Sequence, residues 1–473
     1  MENELFEKMP IQKAYMKLAL PVVFSGVLTL VYNMVDMFFV AKTGDTNLVA
    51  GVTLCGPVFT LLIAMGDIFG LGGASVISRL FGMKKNEDGK RLSVFCLDGC
   101  FIFGILIAIL LLVFKMPILT LLGASTETFA HASSYYFWIA LGSPFVILAL
   151  APTNLLRTEG HATAAMIGSV TGSVVNMILD PVFIFGLHMG AGGAAIATVI
   201  GNICADIFYI YFICKKSQWL SMKLSGFYIH AGEVKQILSI GIPSSITNVM
   251  QSIGVMLLNN FLLPYGNDKI ASFGIVSKIT MIVVMIMVGF AFGGQPLYGY
   301  LYGAKLQKRM KECMKYAYQL IIGISVTLSI VLSIFAPFMI SIFMNDAVMI
   351  AAGAPMLRAV LLGMPFIGFV MVTTCVFQSC GKPAQALILS AGSIRYLYCD
   401  RCVSVIEKYI IKRIECIRKR MSDNCSFFCI CQCCDWFFTH LIKEMDNSSN
   451  KDHRQNRSNS DTVEQSICQE TNQ

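Results

Sequence analysis

The sequence predicts an all-α polytopic membrane protein of two parallel six-helix repeats, with twelve spans in the full pattern. Two observations carry this prediction. The chain has 473 residues, of which 56% are hydrophobic and only 14% are charged, whereas ordinary globular chains carry about 25% charged residues. Short motifs also recur at a constant distance along the chain, which indicates two structurally matched halves.

The recurring motifs lie 221 residues apart. Leu20-Pro21 returns as Ile242-Pro243, one residue off that spacing. The second copy can be followed to about Gly392, and residues 173–214 of the first half have no counterpart. The matching pairs are Gly72-Gly73 and Gly293-Gly294, Gly82 and Gly303, Gly142-Ser143-Pro144-Phe145 and Gly363-Met364-Pro365-Phe366, Thr153 and Thr374, and Gly160 and Gly381.

Apolar runs of about 20 residues, the length needed to cross a bilayer, predict about ten intact spans. The apolar run of an eleventh span begins near Pro383 but ends near Ser393, before it is long enough to cross a bilayer. We therefore expect a first lobe at 1–214 (spans 1–6), a cytoplasmic loop at 215–235, a second lobe at 236–392 (spans 7–10 and the start of span 11) and a tail at 393–473. The predicted spans are 14–40, 48–80, 92–114, 132–156, 162–186, 190–214, 236–262, 270–302, 315–343 and 350–379.

The tail differs from the rest of the chain in composition. Residues 393–473 contain no Gly, Ala or Pro, yet they hold nine of the 17 Cys. Their dense charges cannot sit in hydrocarbon, so spans 11 and 12 are not expected there. An out-of-frame reading of the gene is one explanation, and a genuine Cys-rich cytoplasmic tail is another. The cysteines lack regular ligand spacing, so we expect no metal site.

Lysine and arginine predict the orientation. Eighteen lie in the N-terminal segment and the loops after even-numbered spans, against Lys42, Lys115 and Lys269 in the opposite loops. Because positively charged loops stay in the cytoplasm, we expect a multi-pass protein of the inner (cytoplasmic) membrane with a cytoplasmic N-terminus. Six spans per half return the chain to the same side, so the repeats are parallel. The net charge of +8 then reflects topology and not nucleic-acid binding.

Asp36 is the first candidate for chemistry, within the apolar segment Val31–Val40 of span 1. A carboxylate at the bilayer centre costs on the order of 2.5–3.5 kcal/mol, so an acid there indicates a function such as binding and releasing a proton. The alternative places Asp36 at the end of the span, facing headgroups or water.

Asn176 and Asp180 are four residues apart and therefore share one face of span 5. Pro181 has no N–H, which leaves the carbonyl of Met177 without its helical partner. A carboxylate, an amide and a free carbonyl on one face would suit a proton or sodium ion. The alternative for Asn176 is a contact between helices, worth about 0.6 kcal/mol.

Other residues are less specific. Tyr135, Tyr136 and Trp138 open span 4 and are expected as an interfacial belt. Asp67 lies in a glycine-rich run and could face a water-filled cavity, while Asp206 is expected to be solvated near the cytoplasmic end of span 6. The metalloprotease, Walker and Gly-x-Ser-x-Gly motifs are absent from the sequence. We therefore expect a protein that is not an enzyme and that needs no cofactor.

The first half resembles the multidrug and toxic compound extrusion (MATE) transporters, and the resemblance covers about residues 10–392. It implies twelve helices in two six-helix lobes, alternating access, and export of cationic amphipathic drugs against H⁺ or Na⁺. The residues that carry it are Val35-Asp36 with Gly44-Asp45, Gly72-Gly73, Leu156-Arg157-Thr158-Glu159-Gly160, and Asn176 with Asp180-Pro181.

The resemblance also implies site residues. The family's cation site corresponds here to Asp36, Asn176 and Asp180, and Tyr135 matches a family tyrosine of span 4 by its spacing. Some relatives carry a further carboxylate in span 10, where this chain has none between Thr373 and Gln378, so we expect the ion site in the first half. The candidates for the substrate cavity are Gln251, Asp67 and Met34. The expected partners are the lipid bilayer and cationic amphipathic small molecules, bound by a monomer.

Two alternatives stay open beside ion-coupled drug export. The chain could be a frameshifted product with little or no transport. It could also be a flippase for lipid-linked precursors from the same superfamily. Such flippases often line the cavity with several arginines, whereas only Arg79, Lys278 and Arg358 lie in or at the edge of spans here, which favours drug export.

Overall fold

The computed structural model describes residues 4–221, 232–246, 267–343 and 347–389. All of them belong to one compact unit. Within these ranges every regular element is a helix, and nine segments are long and apolar enough to cross a membrane. The helical, polytopic fold class predicted from the sequence is confirmed. Gln251 and the tail at 393–473 lie outside the described residues.

The first half consists of nine α-helices and two short π-helical turns, Glu4–Lys8 and Val182–Gly186. The helices are α1 (Ile11–Lys42), α2 (Thr46–Leu54), α3 (Gly56–Gly82), α4 (Asn86–Val113), α5 (Lys115–Leu121), α6 (Phe129–Leu148), α7 (Leu150–Thr158), α8 (Ala162–Pro181) and α9 (Gly190–Lys216).

The second half is described over eight helices. The predicted seventh span, 236–262, is described only as far as residue 246, and the helix at the predicted start of span 11 as far as residue 389. The helices are α10 (232–246), α11 (Asn267–Gly293), α12 (Gln295–Gly303), α13 (Gln307–Ile334), α14 (Ala336–Ser341), α15 (Ala347–Leu362), α16 (Met364–Ser379) and α17 (383–389).

Five of the predicted spans are each made of two consecutive helices. The breaks fall at Cys55, Ala149, Gly294, Phe335 and Gly363. In four of the five cases a proline occupies the first or second position of the following helix, where its missing N–H has no helical partner to lose. Most of the breaks therefore follow from local sequence.

The 221-residue repeat is also a repeat of structure. Helices α4 and α13 both begin and end 221 residues apart, as Asn86–Val113 and Gln307–Ile334. Lys84 and Lys305, which precede them, have the left-handed φ values 61° and 56°. Gly160 and Gly381 share positive φ values of 86° and 73°, which only glycine adopts without strain. The repeated glycine thus marks the same turn twice.

The repeated Gly72 and Gly293 lie where the two halves touch. A Cβ on Gly72 would lie 2.5 Å from the carbonyl oxygen of Ile237 and 3.2 Å from the Cα of Gly241. A Cβ on Gly293 would overlap the backbone of Ala19 in the same way. Ala19 precedes Leu20-Pro21, and Gly241 precedes Ile242-Pro243. These two contacts are therefore equivalent under the repeat.

Polar contacts reinforce the same end of the molecule. The Tyr15 hydroxyl donates to the Phe290 carbonyl at 2.8 Å, and an Arg91 guanidinium nitrogen lies 2.7 Å from a Glu233 carboxylate oxygen. A guanidinium nitrogen of Arg309 also donates to the Met9 carbonyl at 2.7 Å. The described halves are therefore closed against each other at the end that carries the N-terminus.

Candidate functional site

The structure brings Asp36 of α1 and Asp180 of α8 together. Their carboxyl groups are within hydrogen-bonding reach of each other, Asp180 is fully buried and Asp36 is half-buried. Two ionised carboxylates in contact repel each other, and a proton or cation between them removes the repulsion. A proton or a cation between the two carboxyl groups would therefore be stabilised.

Asn176 fixes the orientation of Asp180. In the amide orientation that satisfies both of its neighbours, Asn176 donates to Oδ2 of Asp180 at 3.3 Å and accepts from the backbone N–H of Thr198 at 3.0 Å. The spacing of four residues on α8 makes the first bond possible, and the packing of α8 on α9 supplies the second. Asn176 therefore contacts both Asp180 and α9. The contact between helices is present, and the role of Asn176 in ion binding stays a prediction.

Each carboxyl group retains one enclosed oxygen, Oδ1 of Asp36 and Oδ1 of Asp180, that has no hydrogen-bond partner in the described part of the chain. A buried acceptor without a partner costs about 1–3 kcal/mol. Free carboxylate oxygens beside an amide are a donor set that suits a proton or a hard cation. The residues present therefore fit either H⁺ or Na⁺.

Two tyrosines lie beside the carboxyl pair. Tyr135 of α6 is 8% exposed and is within electrostatic range of Asp36 and Asp180. This burial is at odds with an interfacial belt position, while a role for Tyr135 in the site stays a prediction. Tyr32 of α1 also lies within range of both acids.

The sequence reasoning missed Tyr32 and Thr198. The signal for Tyr32 was available, because it lies four residues before Asp36 and so on the same helix face. Thr198 had no such signal, since it stands in the Gly- and Ala-rich stretch of α9 and only the packing on α8 brings it to Asn176.

The other candidates lie elsewhere. Met34 is 54% exposed, and it stands two residues before Asp36, so its side chain points away from the carboxyl pair. Asp67 of α3 is within electrostatic range of Arg157 and Cys100. Their contact with substrate, like that of Gln251, stays a prediction.

Comparison with known proteins decides the family. The sequence profile of the MatE family matches residues 21–182 and 243–397, which span both halves. The chain belongs to the MatE family. The multidrug export protein MepA of Staphylococcus saprophyticus is 30% identical over 387 residues, which cover 81% of this chain and 85% of the relative. MepA of a Staphylococcus aureus strain is 31% identical over 387 residues, with the same coverage of 81% and 85%.

Solved MATE structures share the fold. One is described as the outward-facing conformation of a multidrug resistance MATE family transporter, with a TM-score of 0.78 and 27% identity over 82% of this chain and 87% of that chain. A second, a MOP superfamily transporter from Pyrococcus furiosus, has a TM-score of 0.80 and 26% identity over 86% and 90%. Its description reports a binding pocket of reverse polarity that suggests a different function. The resemblance predicted from the sequence motifs is confirmed at the level of family and fold.

Proposed function

We propose that the chain is an ion-coupled antiporter that exports cationic amphipathic compounds by alternating access, with H⁺ or Na⁺ bound between Asp36 and Asp180. The observation that carries this proposal is the contact of the two carboxyl groups inside the first half. The names of the staphylococcal relatives, multidrug export proteins, support export of drugs, and the cationic amphipathic class rests on the family resemblance. We propose that the protein is a monomer, since both halves of the transporter belong to the same chain.

Charge balance explains how such a pair couples two solutes. Without a bound cation, the two ionised acids carry two negative charges and attract a cationic compound in a low-dielectric site. Each proton or Na⁺ that binds the pair removes one of these negative charges, so the attraction weakens and the compound is released. A ligand shifts the equilibrium between two conformations only through its different affinity for each, and competition for one charge provides that difference.

The closed end of the structure fits this cycle. The described contacts between the halves include the N-terminal end of α1, α3, the start of α4 and the helices α10–α13. The excess of Lys and Arg predicts that this end lies in the cytoplasm. Asp36 lies 17 residues beyond the contact residue Ala19 on α1, or about 26 Å along the helix. In this orientation the site is reached from outside.

The test is dye export by the full chain in proteoliposomes, driven either by an imposed pH gradient or by an imposed Na⁺ gradient. We expect one gradient to drive export of a fluorescent cationic dye, and Asp36→Asn to abolish that export because only one of the two carboxyl groups remains to bind the coupling cation. The matched control is Asp45→Asn, which changes an exposed acid of the same half. Gradient-driven export that persists in the Asp36→Asn variant would sink the proposal. Translocation of a lipid-linked precursor without dye export would favour the flippase.

The composition of residues 393–473 favours a second reading, in which this chain is an inactive, frameshifted product. Resequencing the gene around codon 392, together with the measured mass of the expressed protein, separates the readings. An intact frame with the tail present removes the frameshift. Deleting the tail without any change in export would then argue against a regulatory role for it.

A further inference from the structure

A second acid is buried in the first half, apart from the carboxyl pair. Asp206 of α9 is 3% exposed, and both of its carboxyl oxygens lack a hydrogen-bond partner in the part of the chain that the structure describes. The expectation that Asp206 is solvated is therefore wrong. Helix α9 continues for ten residues beyond Asp206, to Lys216, which keeps the carboxyl about 15 Å from the helix end.

The two side chains near Asp206 donate their hydrogen bonds to backbone carbonyl groups and not to Asp206. Cys100 of α4 lies within its electrostatic range, but the thiol donates to the Ile147 carbonyl at 3.2 Å. Tyr209, three residues along α9, is also in range, but its hydroxyl donates to the Ala165 carbonyl at 3.0 Å. Neither neighbour donates to the carboxyl group.

Two further charges lie beyond these neighbours. Arg157 of α7 is within electrostatic range of Asp67 of α3, and both lie in the same network as Tyr209 and Cys100. Asp67 and Arg157 balance each other, so an ionised Asp206 would leave one buried negative charge. An isolated buried carboxylate is so costly that the group neutralises instead. A thiol, a phenol and a guanidinium offer few ligands to Na⁺, which prefers several oxygens.

A row of polar side chains connects this acid with the carboxyl pair. Thr198, Asn202 and Asp206 are each four residues apart and so share one face of α9, over about 12 Å. Thr198 contacts Asn176 of the pair's site, and the Asn202 amide donates to the Thr198 carbonyl at 2.8 Å. The row therefore runs from the site of the Asp36–Asp180 pair to Asp206.

The matching fold of the second half lacks the charged and titratable residues that lie around Asp206. At the 221-residue repeat, Asp67 corresponds to Val288, Arg157 to Gln378 and Cys100 to Ile321. These three positions of the second half therefore carry no charge, although α4 and α13 match residue for residue. Asp206 itself lies in the stretch 173–214 that has no counterpart in the second half, so the comparison concerns only the residues around this acid.

We propose that Asp206 is a second proton-binding group of the transport cycle, which receives a proton from the Asp36–Asp180 pair along the row of Asn176, Thr198 and Asn202. This inference rests on the proposed function and deepens it, because it assigns H⁺ as a coupling ion. The step is a proton transfer alone. A carboxyl O–H bond of the pair breaks, one forms at Asp206, and water hydrogen-bonded along the row carries the proton. When the two halves separate at their closed end, water reaches Arg157 and its neighbours. Asp206 then releases the proton to that water.

The experiment compares the wild type with Asp206→Asn, Asp206→Glu and the control Asp45→Asn, all as full chains. The first readout is the infrared band of protonated carboxyl groups in the purified protein during a pH change. We expect part of that band to be lost in Asp206→Asn, to return at a shifted position in Asp206→Glu and to be unchanged in Asp45→Asn. Because asparagine has the shape and neutrality of a protonated aspartate, the variant is expected to fold.

The second readout is proton movement that accompanies dye transport in proteoliposomes. We expect Asp206→Asn to bind the dye as the wild type does but to lose dye-driven proton movement, and Asp206→Glu to restore it. An infrared band that is identical in wild type and Asp206→Asn overturns the inference, even if no variant transports dye. Wild-type proton coupling retained in Asp206→Asn also overturns it, as does export driven by Na⁺ alone, and either result leaves the proposed antiport standing. Loss of export in the wild type itself counts against the proposed function and not against the protonation of Asp206.

Discussion

The contact between Gly72 and α10 gives the sharpest test of how the two halves close. A Cβ added at Gly72 would lie 2.5 Å from the Ile237 carbonyl oxygen, whereas ordinary van der Waals contacts of a Cβ begin at 3.4 Å. The obstacle is backbone, which cannot turn aside as a side chain can. In Gly72→Ala, α3 and α10 must therefore move apart by about 0.9 Å, the difference between these two distances.

Overpacking of this kind costs about 1–3 kcal/mol. The cost falls only on the state in which the halves touch, so the equilibrium shifts toward separation at this end by roughly 5- to 150-fold. Replacing a glycine within a helix by alanine is otherwise favourable, by up to about 1 kcal/mol. Gly323→Ala on α13 measures that background, because nothing lies within 4 Å of a Cβ added there.

The assay combines thermal unfolding in detergent with pulsed electron paramagnetic resonance between labels at the exposed Met83 and Gln236. We expect Gly72→Ala to unfold at a lower temperature than Gly323→Ala and to lengthen the distance between the labels. The repeat-related Gly293→Ala is expected to lower the unfolding temperature in the same way, because its contact with Ala19 is equivalent. Equal unfolding temperatures and equal distances in Gly72→Ala and Gly323→Ala would refute the reasoning.

Two further predictions concern individual side chains. Asn176→Leu removes the donor to Asp180 and the acceptor for Thr198, so we expect gradient-driven dye export to be lost while the protein still purifies as a folded species; normal export would show that the amide is dispensable. Asp45→Ala removes the side chain that accepts from the backbone N–H groups of Asn47 and Leu48 at the start of α2. We expect a loss of about 1 kcal/mol in the free energy of unfolding, but only a few tenths in Asp45→Asn, which still caps the helix; equal losses in both variants would show that the cap is not the cause.

Much of the fold could be predicted because two simple signals were strong. Apolar length located the spans, and the constant spacing of glycines and prolines located the repeat. The structure gives the repeat a physical reason at Gly72 and Gly293, where helix backbones from the two halves meet too closely for any Cβ. The division of single spans into two helices, as at Gly294, could not be found from hydropathy, because an apolar run has the same composition on both sides of a break.

Contacts within the candidate site were predictable only between residues that share one helix. The spacing of four residues predicted that Asn176 and Asp180 lie side by side. Asp36 was predicted as a candidate because it is an acid among apolar residues. That Asp36 and Asp180 meet depends on how α1 packs on α8, which no local pattern encodes. The same limit explains the error at Asp206, since its burial is set by helices distant in sequence.

Helix α1 connects the candidate site with the surface that closes. It carries Asp36 toward one end, and Tyr15 and Ala19 toward the other, and it packs on both α8 of its own half and α11 of the second half. The described acids that face each other all lie in the first half, whereas the closing surface needs both halves. A cation that changes the charge of Asp36 can therefore influence closure through α1, because the attraction between α1 and α8 changes while the contact with α11 must be made or broken. We therefore predict that the position of α1 responds to both cation binding and opening, and that Asn176→Leu alters it from the α8 side just as Gly293→Ala alters it from the α11 side.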